Sequence, residues 1–253
     1  MSLFLNIDTA TEQASACLTD NEKVLAIEKS SDQKNHASFI HPTIKNLFQS
    51  IGKYFSEIDA IAVTAGPGSY TGLRVGLATA KGLCYALNKP LILLNTLEVM
   101  AQASMNAQFY NKLPTSNLQH PTSNLQHSTS NLQPPTLYCP MIDARRMEVF
   151  TAIYDDNLQI IFRPSAIILD ENIFNEYLND YRVIFSGSGN LKLKTILHHS
   201  NAIFLQVQHN ASDMVPLTVK AFAQQQFSDI AYSEPFYLKE FFTPSRNVID
   251  KKF

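Results

Sequence analysis

Apolar positions along this 253-residue chain follow two rhythms. Short, nearly unbroken apolar runs, "FLNID" (4–8), "DAIAVTA" (59–65), "YCPMID" (138–143) and "RVIFS" (182–186), read as strands buried on both faces, the mark of inner strands in an α/β sheet. Between the first two, "NHASFIHPTIKNLFQSIGKYF" (35–55) carries Ile40, Ile44, Leu47 and Ile51 at helical spacing, with Asn35 as N-cap. Pro42 must then sit in the first turn of that helix or kink it.

The pattern occurs twice. Setting Asp8 against Asp143 aligns two strands that end in Ile-Asp, each followed by a short loop and a hairpin. The hairpins turn at Asp20-Asn21 and at Asp155-Asp156-Asn157, residues that tolerate the left-handed backbone of tight turns. Further on, "EIDAIAVTAGPG" (57–68) is echoed by "DYRVIFSGSGN" (180–190), each a strand running into Gly-x-Gly. Hairpin, crossover helix and glycine-ended strand in the same order predict a duplicated α/β domain.

The first glycine corner, "VTAGPGSYTGLRVGLATAKGL" (63–83), turns a strand into a helix capped by Ser69 or Thr71. Gly66, Gly68 and Gly72 are spaced one residue wider than a dinucleotide fingerprint, and no GK[ST] follows for a phosphate loop. A helix N-terminus can still attract an anion, so the corner alone leaves nucleotide contact open. In the helix, Gly72, Gly76 and Ala80 form a strip of small residues flanked by Leu73, Leu77, Leu83 and Leu87. Glycine inside a helix costs about 1 kcal/mol against alanine, so Gly76 and Gly82 imply the close approach of another backbone. Two arrangements fit: packing on the helix's own sheet, or an interface that this helix forms together with the Ile40 helix.

Residues 115–135, "TSNLQHPTSNLQHSTSNLQPP", are three copies of a polar heptad with one leucine each, too little apolar surface to offset ordering, so a loose surface loop is expected between the halves. The domains are accordingly read as 1–108, joined by 230–253, and 136–230, with 109–135 between them. Composition adds limits. Apolar residues make up 45%, and 20 Lys and Arg against 22 Asp and Glu leave a net charge of −2, so strong nucleic-acid binding by the chain alone is not expected. Cys17, Cys84 and Cys139 are few, scattered and without CxxC, as for reduced core thiols in a cytoplasmic protein, and no apolar run reaches the length of a membrane span. His36 and His41 would stand about 140° apart around a helix, and His198-His199 has no acidic or thiol neighbour at ligand spacing, so no metal site is expected.

"LNIDTAT" (5–11), "NHASFIHPTI" (35–44), "TAGPGSYTGLRVGLATAKGL" (64–83) and "EPFYLKE" (234–240), with "MIDARRMEVF" (141–150) in the weaker second half, resemble the bacterial TsaB family. Lys239 stands where that family more often has Arg, and the heptads depart from it. The resemblance implies an α/β fold of the actin-like, Hsp70-like (ASKHA) class: two duplicated domains with mixed five-stranded-type sheets flanked by helices. It implies a non-catalytic scaffold that activates a TsaD-like transferase, helps recruit a TsaE-like ATPase, forms a homodimer, and meets tRNA only through the complex that makes threonylcarbamoyladenosine beside the anticodon. No cofactor is expected in this chain, ATP and metal being bound by partner subunits, and no membrane partner. The implied partner or dimer interface is His36, Ile40, Ile44, Leu47, Tyr70, Leu73, Arg74, Gly76, Leu77, Ala80 and Cys84. A vestigial nucleotide site is expected at Asp8, Thr9, Thr11, Gly66, Gly68 and Ser69, because "DTATEQAS" lacks the glycine that lets such loops approach phosphates, and "LILLNTLEVMAQAS" lacks the catalytic subunit's histidine pair. The alternatives are an ATP-dependent kinase of the same fold, an M22-type peptidase-like protein, or a homodimeric binding module of other purpose.

Overall fold

The computed structural model describes residues 2–30, 35–112 and 134–239. The heptads fall outside the described residues except for Pro134 and Pro135. Strands β1 (Leu3–Asp8), β2 (Ser15–Asp20), β3 (Lys23–Lys29), β4 (Ile58–Gly66) and β5 (Leu91–Asn95) form one five-stranded sheet, in the order β3-β2-β1-β4-β5. A second uses β6 (Thr136–Asp143), β7 (Glu148–Tyr154), β8 (Ile160–Ile168), β9 (Arg182–Ser186) and β10 (Ala202–Leu205), in the order β8-β7-β6-β9-β10. The two orders match strand for strand. Each sheet starts with antiparallel pairs and then adds two parallel strands, the duplication read from the repeated pattern.

The unbroken apolar runs are the inner strands. Every residue of β1 is buried, and all but Asp59 of β4, because both faces of the sheet are covered. On one face lie α1 (His36–Ile51) and α2 (Tyr70–Leu87), side by side. Ile40, Ile44, Leu47 and Phe48 of α1 meet Leu77, Ala80 and Cys84 of α2 over the strands, each large side chain contributing about 1.5–3 kcal/mol by leaving water. Asn35 holds the N-cap position of α1 without a side-chain cap bond. Pro42 lies past the first turn, on the exposed side, where its missing N–H leaves the Ser38 carbonyl to solvent. Both hairpins turn where expected, with Asn21 left-handed (φ 50°) in the first and the Asp155 carboxylate accepting from the Asn157 and Gln159 amides in the second.

The crossovers between sheets are α3 (Thr96–Lys112), which follows β5, and a 3-10 turn (Ala211–Met214) leading into α6 (Val215–Ala223), which follows β10. Each covers the sheet it did not come from. Leu97, Met100 and Ala101 of α3 pack with Tyr138, Ala152 and Ile184 of the second sheet. Met214, Leu217 and Ala221 pack on Phe4, Ala62 and Ile92 of the first, where Thr218 also donates to Asn6 Oδ1 at 2.6 Å. Packing thus exchanges α3 and 211–223 between the halves, because each sheet needs a cover on its second face and its own connections supply only the first. The second half's remaining helices, α4 (Asn175–Asp180) and α5 (Asn190–Lys194), have 6 and 5 residues against 16 and 18 in α1 and α2.

Candidate functional site

The glycine corner is packed with the chain's own backbone. A Cβ on Gly72 would lie 2.0 Å from the Thr9 carbonyl oxygen, on Gly68 2.2 Å from that of Ala10, and on Gly76 2.2 Å from Thr9 Oγ1. The loop after β1 thus lies directly against the start of α2, stitched by Ser69 N to the Ala10 carbonyl (2.7 Å) and by Thr9 Oγ1 to the Gly72 carbonyl (2.7 Å). From the other side comes residue 236: its amide donates to the Ala65 carbonyl at 2.6 Å, and its carbonyl would touch a Cβ on Gly66, whose φ of 118° already favours glycine. Ser69 caps α2, its Oγ accepting from Gly72 N at 3.3 Å.

Asp8, at the end of β1, is fully buried and faces away from solvent. Its Oδ1 accepts from Thr64 Oγ1 (2.8 Å) and Ala10 N (3.1 Å), while Oδ2 lies 3.2 Å from His209 Nε2, a charge contact short of hydrogen-bond alignment. Burial acts to raise the Asp8 carboxyl, but the His209 charge and these donors outweigh it and hold the group below the ordinary carboxylate range. Burial acts to lower His209, and the Asp8 contact together with the Asp213 charge outweighs it, raising the group above an ordinary histidine. Asp213 completes the cluster. Burial raises its carboxyl, against the pull of bonds from Asn106 Nδ2 (2.9 Å) and Asn210 N (3.0 Å).

Between the halves runs a cleft. One lobe of about 480 Å³ is lined by Ala10–Glu12, His36 and Gly68–Tyr70 from the first half and by Ile142–Arg145, Phe150 and Ser188 from the second. A lobe of about 470 Å³ shares Thr11, Glu12 and Ser188 and reaches Met100, Leu191 and Gln206–His209. His36, 9% exposed, contacts the Thr11 carbonyl through Nε2 at 3.0 Å, and its Nδ1 is buried without a hydrogen bond. At the cleft mouth a third space of about 350 Å³ is walled by Tyr70, Phe150, Phe236 and Tyr237, with Arg145 and Lys239 at its rim. There Arg74 sits 3.9 Å over the Tyr70 ring and donates to Tyr237 Oη at 3.3 Å. Among the described residues, no group of three or more His, Cys, Asp or Glu is placed to hold a metal ion.

The expected interface separates into two sets. Ile40, Ile44, Leu47, Leu73, Gly76, Leu77, Ala80 and Cys84 belong to the first half's own interior, because α1 and α2 turn these positions onto the sheet, and the nearly buried His36 lines the cleft. That corrects their assignment to a surface between subunits. Only Tyr70 and Arg74 of that set are exposed. The Cys84 thiol, pushed up to about 12 by burial, behaves as a small core group. Of the expected nucleotide residues, Thr11, Gly68 and Ser69 line the cleft, whereas Asp8, Thr9 and Gly66 are buried behind it. His209 and Asp213 carried no signal in the sequence, and "EPFYLKE" carried one only through the resemblance, with nothing to place Phe236 and Tyr237 at the glycine corner: each acquires its place from a partner far away in the chain.

Two halves of one topology that face each other across a cleft through the loops after β1 and β6 define an actin-like (ASKHA) α/β protein. Comparison with known proteins narrows this. The family model for tRNA N6-adenosine threonylcarbamoyltransferase, TsaD, matches residues 23–119. The tRNA threonylcarbamoyladenosine biosynthesis protein TsaB of Escherichia coli is 26% identical over 242 residues, 93% of this chain and 94% of that protein. Its Haemophilus influenzae namesake is 36% identical over 100 residues, 40% of this chain and 42% of that protein. The solved structure of YeaZ from Pseudomonas aeruginosa superposes with a TM-score of 0.74 at 23% identity, over 94% of this chain and all of that one (100%), a likeness of fold. Over nearly its whole length the chain is similar to proteins of the TsaB/YeaZ group.

Proposed function

We infer that this chain serves threonylcarbamoyladenosine synthesis in tRNA as a scaffold without a reaction centre of its own, binding a TsaD-like transferase and helping a TsaE-like ATPase to join. ATP and metal then belong to the partners, and tRNA is the substrate of the assembly. The observation that carries the reading is the filled corner: the carbonyls of Thr9 and Ala10 occupy the space against α2 where a phosphate would need free amides, and Asp8 is closed in under His209.

What α2 leaves outward supports a docking role. Ala78, Gly82 and Ala86 form a second strip of small residues on the exposed side, and a Cβ on Gly82 would meet nothing within 4 Å. The helix therefore bears the cost of Gly82, about 1 kcal/mol, for no contact inside the described residues. Tyr85, 84% exposed, stands beside the strip, with Tyr70 and Arg74 at its N-terminal end. A partner helix laid along Ala78–Gly82 would approach closely and gain Tyr85 and Arg74 as anchors, residue types that dominate interfaces.

Gly82→Leu separates assembly from folding. Its thermal transition is expected to match or exceed that of the unaltered chain, while co-purification with the transferase falls at least tenfold. Retention of the partner by this variant would refute docking on α2. Calorimetry with ATP-Mg and a tRNA modification assay on the chain alone address the scaffold reading: sub-micromolar nucleotide affinity or modification without partners would overturn it.

A further inference from the structure

The loop between β6 and β7 presents Arg145 and Arg146 in consecutive left-handed conformations, φ 73° and 48°. Arginine gains nothing from that backbone, which costs a non-glycine residue about 1–2 kcal/mol and which Asn or Gly adopts readily. The turn is held all the same. Asp143 Oδ1 accepts from Arg145 N at 2.6 Å and pairs with Lys192 Nζ at 2.7 Å, and Glu148 at the far end pairs with Lys239. Both guanidinium groups are exposed, and among the described residues neither has a hydrogen bond or an ion pair. Four cations (Arg145, Arg146, Lys192, Lys239) against two acids (Asp143, Glu148) leave +2 here, in a chain whose net charge is −2. The two acids are already engaged by the lysines, so the free charge is that of the arginines.

The same turn borders the aromatic space at the cleft mouth, about 350 Å³, with Tyr70, Phe150, Phe236 and Tyr237 as walls. That size admits one flat ring system rather than a duplex, and an aromatic wall with Arg145 at its rim and Arg146 next along the exposed turn is a combination suited to an unstacked nucleotide: base on rings, phosphates on the fork donors. We propose that the Arg145-Arg146 turn is a direct contact of this chain with single-stranded RNA, a loop of the tRNA substrate, with an extruded base in the Tyr70–Tyr237 space. A net negative chain excludes broad electrostatic capture and is compatible with a contact of two phosphates. The proposal rests on the reading that the chain works on tRNA, but its test needs no partner, so loss of transferase binding and loss of RNA binding are read separately.

The probe is a fluorescently labelled, unmodified tRNA transcript, titrated with the full chain by anisotropy at about 50 to 200 mM KCl, the range in which phosphate contacts show their salt dependence. Arg145→Gly/Arg146→Gly removes both charges and places the residue best suited to positive φ at each position, so the melting temperature is expected to hold or rise. Binding is expected to weaken at least tenfold at the lowest salt, and the slope of log K against log salt to shrink by about 1.4, two contacts at roughly 0.7 each for single strands. Lys45→Ala/Lys89→Ala makes the same change in net charge elsewhere and is expected to bind as the unaltered chain does. Equal weakening in that control, no loss in the glycine variant, no binding by the unaltered chain at the lowest salt, or displacement of the RNA by free ATP would each overturn the proposal, the last by making the space a nucleotide pocket.

Discussion

The two halves share one strand order, yet they spend it differently. In the first, the glycine corner launches an 18-residue helix; in the second, the corresponding "GSGN" launches one of 5 residues. Both corners contain a glycine with positive φ, Gly66 at 118° and Gly187 at 84°. What presses on them differs. Gly187 meets the flexible end of the Met100 side chain from α3 and the Met141 carbonyl of its neighbouring strand, while Gly66 meets the backbone carbonyl of Phe236, delivered from the other end of the chain. The equivalent strand-end acids differ in the same way: Asp8 is sealed under His209, and Asp143 sits at the surface with Lys192. One half is closed around distant segments and offers a long helical face; the other stays open at its turns and offers charged side chains.

The sharpest way to break this comparison is Gly76→Leu. A Cβ there already lies 2.2 Å from Thr9 Oγ1 and 3.3 Å from Val63 Cγ2, so leucine must drive α2 off the sheet. Overpacking of a tight interior costs about 1–3 kcal/mol and more where backbone must move. The melting temperature is expected to fall by about 10 °C or the cooperative transition to vanish, at roughly 2–4 °C per kcal/mol for a chain of this size. A stable, cooperative variant would mean that the inner strip is not what holds α2 down.

Next comes the pair of acids. His209→Gln leaves the Asp8 carboxylate buried beside a neutral group, a loss of about 3–5 kcal/mol in urea unfolding at pH 6. Asp143→Asn breaks an ion pair on the surface and is expected to change stability by less than about 1 kcal/mol. The pH dependence follows from the directions of the shifts. His209 has its folded pKa raised, so its contribution is complete below the ordinary value of 6.5 and disappears as pH rises through the folded value. Asp8 has its folded pKa lowered, so its contribution is present above 3.8 and disappears as pH falls through the folded value. Stability from the pair is therefore greatest between those two ordinary values and declines on the alkaline side; in His209→Gln the alkaline decline should flatten. Asp213, raised by burial, adds its own dependence at acid pH, which the histidine variant leaves in place. Equal losses for His209→Gln and Asp143→Asn would erase the contrast between the halves.

A small effect also belongs to the cap. Ser69→Ala removes the acceptor for Gly72 N and is expected to cost about 1 kcal/mol, read as a small drop in melting temperature. Gly189, the N-cap residue of α5, makes no such side-chain bond, so Gly189→Ser offers the reverse comparison. There a new Cβ would meet Val149 Cγ1 at 2.8 Å and Met141 Cβ at 2.9 Å, and crowding should cancel any capping gain. Stabilisation by that change would show that the short helix was limited by its cap rather than by its packing.

Much of this architecture can be read along the chain, because it depends on neighbours. Inner strands declare themselves by unbroken apolar runs such as "DAIAVTA", whose burial on both faces needs no knowledge of what covers them. The turns at Asp20-Asn21 and at Asp155–Asn157 and the cap at Ser69 are local too, since side chain and backbone amide lie within a few residues. The repeat of hairpin and glycine-ended strand carries the duplication for the same reason. Only the tertiary structure decided which strip of α2 faces inward. Gly72-Gly76-Ala80 and Ala78-Gly82-Ala86 are equally small in sequence, and what distinguishes them is the Thr9 loop, brought up by strand pairing some seventy residues away. The same holds for Asp8, whose burial depends on His209 from the crossover, and for Gly66, whose backbone is pressed by Phe236. A residue's periodicity fixes the side of its helix; whether that side meets core, partner or solvent depends on segments whose approach no local pattern encodes.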